Sequence, residues 1–316
     1  MPPKSPLPPR HGLQAAWVRT PDRDPGNALP WPTMRDFLLD KLGPARDSVD
    51  GMLERGEFVD ERGRPWTGRE IYRPHTFVWF HRELRDEAEV PGELTVIHRD
   101  ERIVVLDKPH FLSTIPRGRH VVQSAVVKAR RVLDLPELSA AHRLDRGTAG
   151  ILLMTTEQRW RAAYHSIFRQ PTTRKVYEVV APVDPRLEFP VRVSSHLTKE
   201  VGVLQAERLD REPNAHTDID LLEERDGWGR YEARPVTGKT HQIRMHFLEL
   251  GIPLHNDPLY PEVRQTPIDD FSAPLGLLAR ELRFVDPVDG TPRHFVSPRH
   301  LPWPEQPPTS RSRLAE

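Results

Sequence analysis

The stretch Ala141-His142-Arg143-Leu144-Asp145-Arg146-Gly147-Thr148-Ala149-Gly150 carries the densest chemical signal in the sequence. A carboxylate stands between two guanidinium groups, and two glycines lead straight into the apolar run Ile151-Leu152-Leu153-Met154. Neighbouring positive charge favours the ionised carboxylate, so Asp145 is a ready anion for work as a nucleophile or base. On spacing alone, a surface turn closed by an Arg-Asp ion pair explains the same residues, since structural networks also gather charge. The chain of 316 residues has no cysteine, which removes disulfides, thiolate zinc sites, iron-sulfur clusters and a cysteine nucleophile. His241 and His246 lie five residues apart. On a helix that separates them by about 140°, a poor arrangement for one metal ion. No metal is therefore expected, and no nucleotide-binding loop is present.

The elements that would position Asp145 are read from apolar spacing. Residues 94–97 and 102–106 are strand-like about a polar turn at Arg99-Asp100-Glu101, and residues 151–155 and 175–182 also look like strands. Residues 124–133 and 158–168 have helical spacing. Later come strands at 218–223 and 230–236, a helix at 240–250 and a strand at 277–285. Strands and helices alternate irregularly, which favours an α+β fold over a doubly wound sheet. Residues 1–31 and 301–316 read as proline-rich tails, within a chain holding 34 prolines. Residues 32–82 form a small accessory segment of two short amphipathic helices and a hairpin turn, residues 83–93 an acidic linker, and residues 94–300 the large domain.

Hydrophobic residues at 37% and charged residues at 29% suit a soluble globular chain, and no apolar run approaches a membrane span. The N-terminus, Met-Pro-Pro-Lys-Ser-Pro, lacks the apolar core of a secretory signal, so a cytoplasmic location is the expectation. The formal net charge is zero, which argues mildly against nucleic-acid binding. Its distribution argues the other way, because residues 111–180 hold 12 basic side chains against 5 acidic ones. Tyr177, in an alternating strand, is ordinarily a half-buried core aromatic. Arg244 is ordinarily a solvated helix charge, with Ile243, Phe247 and Leu250 as the buried stripe on another face. Arg130-Arg131 and Arg159/Arg161 suit solvated helix charge or phosphate contacts equally.

The Asp145 stretch closely resembles the signature of the RluA family of pseudouridine synthases, His-Arg-Leu-Asp-Arg followed by x-Thr-Ser-Gly and an apolar strand. Ala149 departs from it, standing where Ser is usual. Three further segments agree in order and spacing. Val104-Val105-Leu106-Asp107-Lys108-Pro109 is similar to the family's strand ending in Lys-Pro, with His110 replacing the usual Gly. Arg174-Lys175-Val176-Tyr177 resembles its Lys-x-Tyr strand, and Thr237-Gly238-Lys239-Thr240-His241-Gln242-Ile243-Arg244 its Thr-Gly-Arg-Thr-His-Gln-Ile-Arg motif. Asp257-Pro258-Leu259-Tyr260 follows, with Asn256 where Gly is common, and Leu278 replaces a usual His in the last strand. The likeness covers roughly residues 94–300.

The resemblance implies a mixed, mainly antiparallel β-sheet catalytic domain with flanking helices, preceded by an S-four-like or plain helical segment. It implies isomerisation of uridines in ribosomal or transfer RNA with neither metal nor cofactor, and a monomer is the default expectation. Asp145 would be the catalytic carboxylate, as nucleophile at the anomeric carbon or base at its neighbour. Tyr177 would lie under the uracil and accept the late proton, and Arg244 would pair with Asp145. Arg143 would fill the space vacated by the flipped uridine, and His142, Arg146, Lys108, Lys175, Lys239, His241 and Gln242 would contact RNA. Two rivals stand beside this reading: a catalytically silent RNA-binding relative acting in ribosome assembly, and a glycoside hydrolase. The hydrolase would need a second carboxylate within about 5 to 10 Å.

Overall fold

The computed structural model describes residues 3–22, 31–42, 46–84, 86–116, 118 and 120–308. The parts of the two expected tails at 1–2, 23–30 and 309–316 lie outside the described residues. The chain forms two compact units, Met1–Asp86 and Glu87–Glu316. No helix among the described residues is long and apolar enough to cross a membrane.

The first unit pairs strand β1 (Ala16–Arg19) antiparallel with β2 (Phe77–Phe80) and carries helices α1 (Met34–Lys41) and α2 (Arg46–Glu54). Thr33 starts α1 with a capping box: its hydroxyl takes the Asp36 N–H while the Asp36 carboxylate takes the Thr33 N–H. Met34, Phe37, Leu38, Met52, Phe58, Trp66 and Tyr72 form one core there. The expected turn follows α2, with the Gly63 N–H on the Asp60 carbonyl and a bridge between Val59 and Pro65. The tail expected over residues 1–31 therefore includes a strand, because Trp17 and Val18 find cross-strand partners in Trp79 and Val78 that proline counting cannot register.

The second unit is built on one large mixed sheet. In chain order its elements are β3 (Thr95–Arg99), β4 (Ile103–Lys108), α3 (Ala125–Leu133), β5 (Ser139–Ala140), β6 (Ala149–Thr155), α4 (Arg161–Ser166), β7 (Arg174–Pro182), β8 (Val191–Thr198), β9 (Glu207–Leu209), β10 (Ala215–Arg225), β11 (Trp228–Pro235), α5 (Gln242–Glu249), β12 (Leu277–Val285) and β13 (Pro292–Val296). The main order is β3-β4-β6-β12-β7-β11-β10-β8-β9. The pair β6 with β12 is parallel and the other ladders are antiparallel, as an α+β fold requires. The helical spacing at 158–168 resolves into short 3-10 turns on either side of a single α-helical stretch.

The continuous apolar run of β6 follows from burial on both faces. Val104, Leu106, Leu152 and Met154 enter a core with the α3 residues Ala125, Val126 and Ala129. Ile103, Val105, Ile151 and Leu153 enter another with Tyr164 and Ile167. Successive side chains thus feed opposite layers. Between β6 and β12 the backbones approach so closely that a Cβ on Gly150 (φ +108) would lie 2.2 Å from the Ala279 carbonyl oxygen, so only glycine fits. Ala279 is in register with both Gly150 and Tyr177. That row brings the start of β6, where the Asp145 loop ends, alongside Tyr177 on β7.

Candidate active site

Asp145 sits in the loop before β6, its side chain 35% exposed. The loop is held from beneath by buried polar groups. Two backbone N–H groups at the start of α3, Ala125 and Val126, bond the Ser113 and Thr114 carbonyls, satisfying helix-terminal donors. The Thr114 hydroxyl in turn accepts the Leu144 N–H at 3.1 Å and donates to the Leu144 carbonyl at 2.7 Å. His110 Nδ1 donates to the Gly147 carbonyl at 2.6 Å. Lys108 Nζ is fully buried and faces the carbonyls of Leu112 at 2.7 Å, Pro109 at 3.1 Å and Arg146 at 3.5 Å. Burial is the main force lowering the Lys108 amine to about 7 and the His110 imidazole to about 4.

Arg244 reaches the carboxylate from α5. This helix is buried nearly all round: Ile243 and Phe247 join the core of β7, β10 and β11, and His246 bonds Thr217 and Ser195. The expectation that Arg244 lies on a face apart from the buried stripe is corrected, since its side chain is only 5% exposed. A buried guanidinium needs partners. Its main one is Asp257, with Nε to Oδ2 at 2.7 Å and Nη2 to Oδ1 at 2.6 Å, leaving Nη1 for Asp145 Oδ2 at 3.4 Å. Asp257 is itself 1% exposed and accepts the Leu259 and Tyr260 N–H groups. Sequence reasoning quoted Asp257 without giving it a role. The signal was there, because Asp before Pro two and three residues ahead of free N–H groups is an Asx-turn pattern.

Tyr177 is half-buried between the two cores of this sheet. Burial first, then the Asp145 charge, pushes its phenol up to about 12. Asp145, Arg244 and Tyr177 thus share one neighbourhood. The second carboxylate, Asp257, spends its oxygens on Arg244 and two backbone amides, a poor site for a proton donor to a glycosidic oxygen.

The expected RNA contacts divide. Arg143 and Lys239 are exposed. Lys108 is wholly buried, and Gln242 is buried with its amide bonded to the Lys239 N–H, the Thr237 hydroxyl, the His216 carbonyl and the Thr217 hydroxyl. Both are corrected from RNA contacts to internal clips, because a residue type seen in a motif does not reveal which way it points. His142 accepts the Leu153 N–H on Nε2 and lies 4.5 Å from the Phe168 ring, so it braces the loop; burial holds its imidazole at about 3. Arg146 donates to the Ile268 carbonyl and lies over Phe111 and Phe271. Lys175 donates to the Thr237 carbonyl at 2.8 Å. His241 faces Asp145 at 3.7 Å. Of the helix arginines, Arg130 and Arg161 bond backbone carbonyls and Arg159 pairs with Glu101 and Glu157.

The departures at Ala149 and Leu278 prove to be one feature. The two residues are register partners, both fully buried with Val180, Trp228 and Leu301, so an apolar pair fills this spot. Asn256 adopts φ +55, a conformation Asn tolerates where Gly is usual.

Residues 102–249 match the family described as RNA pseudouridylate synthase. The dual-specificity RNA pseudouridine synthase RluA of Yersinia pestis is 28% identical over 218 residues, 64% of this chain and 97% of that protein. An RNA pseudouridine synthase of Synechocystis is 32% identical over 178 residues, 55% of this chain and 60% of that protein. The solved structure of human RNA pseudouridylate synthase domain containing 1 aligns with a TM-score of 0.49 and 23% identity, over 67% of this chain and 86% of that one. The matched span 102–249 includes Asp145, Tyr177 and Arg244, and ends before Asp257.

Proposed function

The chain belongs to the RluA-type family of RNA pseudouridine synthases, isomerases of RNA uridines, and from that premise we propose that it converts specific uridines in cytoplasmic ribosomal or transfer RNA, with Asp145 as catalytic carboxylate. The reaction breaks the bond from uracil N1 to ribose C1′, turns the base, joins C5 to C1′, releases the C5 proton and takes up one proton at N1. Atoms and electrons balance within the nucleotide. The uridine must first leave its stack, and exposed Arg143 can stack in the space it vacates. Asp145 then acts at C1′ as nucleophile or at the neighbouring carbon as base. Arg244 orients it. Tyr177 lies under the uracil, and its raised phenol keeps the hydroxyl protonated, so it relays the late proton, taking it up as its own proton passes to water.

The carrying observation is the division of labour around Arg244. Two carboxylates share its guanidinium, and Asp145 is the one left partly open, with a single 3.4 Å contact. The test incubates wild type and Asp145→Asn with ribosomal and transfer RNA transcripts, and maps pseudouridine in total RNA with and without the gene. Wild type should convert one or a few uridines while Asp145→Asn converts none and keeps its circular dichroism. Unchanged RNA in every case would leave the silent RNA-binding role in ribosome assembly.

A further inference from the structure

His241 stands beside Asp145 in an arrangement that the roles above do not use. We propose that His241 is a positioning residue for Asp145, fixed by Tyr260 with its ring proton on Nε2 so that it donates to Asp145 Oδ2. The proposal rests on Asp145 being the reactive carboxylate.

The tautomer follows from proton counting. The Tyr260 hydroxyl accepts the Ala206 N–H at 2.6 Å, and the one acceptor its own proton meets among the described residues is His241 Nδ1 at 2.8 Å. A neutral imidazole that accepts at Nδ1 carries its hydrogen on Nε2. Nε2 faces Asp145 Oδ2 at 3.7 Å, a contact that must shorten in the loaded site to become a hydrogen bond. Burial holds the imidazole neutral, near about 4; Asp145 and Asp257 pull it up while Arg244 and Lys199 push it down. Asp145 thus has two unlike neighbours. Arg244 supplies charge, and His241 supplies direction without cancelling charge.

The backbone supports the same reading. His241 has φ +60 and ψ 17 at the N-cap of α5, a left-handed conformation uncommon outside glycine. Its side chain is 9% exposed, and its ring meets the Tyr260 ring edge to face at 5.6 Å. Tyr260 also lies under the Arg244 guanidinium, 5.1 Å from ring centre to Cζ. One phenol therefore braces both neighbours of Asp145. The expectation that His241 contacts RNA gives way to this inward role.

The experiment measures kcat and KM for wild type, Asp145→Asn, His241→Ala, His241→Gln and Tyr260→Phe on an RNA transcript that wild type modifies. His241→Ala should lower kcat about 10-fold to 100-fold, the span of one hydrogen bond to a charged group, with KM within about twofold. Tyr260→Phe keeps the ring under Arg244 and should lower kcat in the same direction. His241→Gln can set an amide N–H near the Nε2 position and should recover most of the loss. A purely structural role would move the folded fraction and would not be relieved by Gln. Wild-type kcat in His241→Ala or in Tyr260→Phe, or a loss that Gln leaves untouched, overturns the proposal. An inactive wild type, or an active Asp145→Asn, instead overturns the function it rests on.

Discussion

The two carboxylates sharing Arg244 should separate cleanly into a structural and a chemical one. Asp257→Asn keeps the shape, and its oxygen can still take the Leu259 and Tyr260 N–H groups. Its amide, however, turns donors toward Arg244 Nε, which now sits 2.7 Å from Oδ2, while Nη2 keeps the oxygen at the Oδ1 position but loses the negative charge. With both partners at 5% exposure or less, removing one side of such a buried pair costs about 3–5 kcal/mol. For a unit this large, melting should fall by roughly 6–20 °C. Asp145→Asn removes a longer, 3.4 Å contact at a carboxylate 35% exposed, nearer a surface pair worth about 0–1 kcal/mol. That corresponds to under about 4 °C, with conversion lost. Calorimetry on both variants, alongside the modification assay below the lower melting temperature, reads both effects. If Asp145→Asn lowered melting as far as Asp257→Asn, the Asp145 contact would be the structural one and the reasoning would fail.

Four desolvated, neutral histidines give a pH prediction. His110, His241 and His246 sit near about 4 and His142 near about 3, while unfolded histidine titrates near about 6.5. Their folded values are depressed, so the unfolded state binds more protons between about pH 6.5 and 4 and stability falls as pH falls through that window. His142→Gln, which retains an acceptor for the Leu153 N–H, should lower the slope of unfolding free energy by about one proton in urea titrations at pH 7.5, 6 and 5; an unchanged slope would count against it. Gly150→Ala should destabilise by at least about 2 kcal/mol, because the added Cβ meets the backbone oxygen of Ala279; a wild-type melting curve would contradict that close approach. Tyr177→Phe should lower kcat by about 10²- to 10⁴-fold with little change in KM if the hydroxyl handles the late proton, and single-turnover kinetics would reveal an unaffected step.

Legibility differed from element to element for identifiable reasons. The helix at 124–133 is readable because its apolar residues recur at helical spacing against one core, and the strand at 277–285 because it is a run of apolar residues, which feed several cores. Strand β8, Val191–Thr198, hides its period: Ser195 occupies a buried position and is bonded to His246 from another element. Strand β13 buries only Phe295 among its five residues and exists through its ladder with β12. The proline-rich segment after residue 300 is held by contacts the sequence does not reveal, with the Leu301 N–H on Glu178, the Gln306 carbonyl on Trp228 and Trp303 under Arg230.

By itself the sequence determined which residues could do chemistry. Asp145 among arginines, Tyr177 on a strand and Arg244 in a helix are properties of residue type and local period, and the likeness to a family joined them. Tertiary structure decided how each is used. Whether a polar side chain faces solvent or turns inward depends on the packing around it, so Lys108 and Gln242 became internal clips while Arg143 stayed exposed. The same holds for the partner of Arg244. Asp145 lies 99 residues from it and Asp257 only 13, and the nearer one, locked by its own turn, takes the stronger pair and leaves the distant carboxylate partly open.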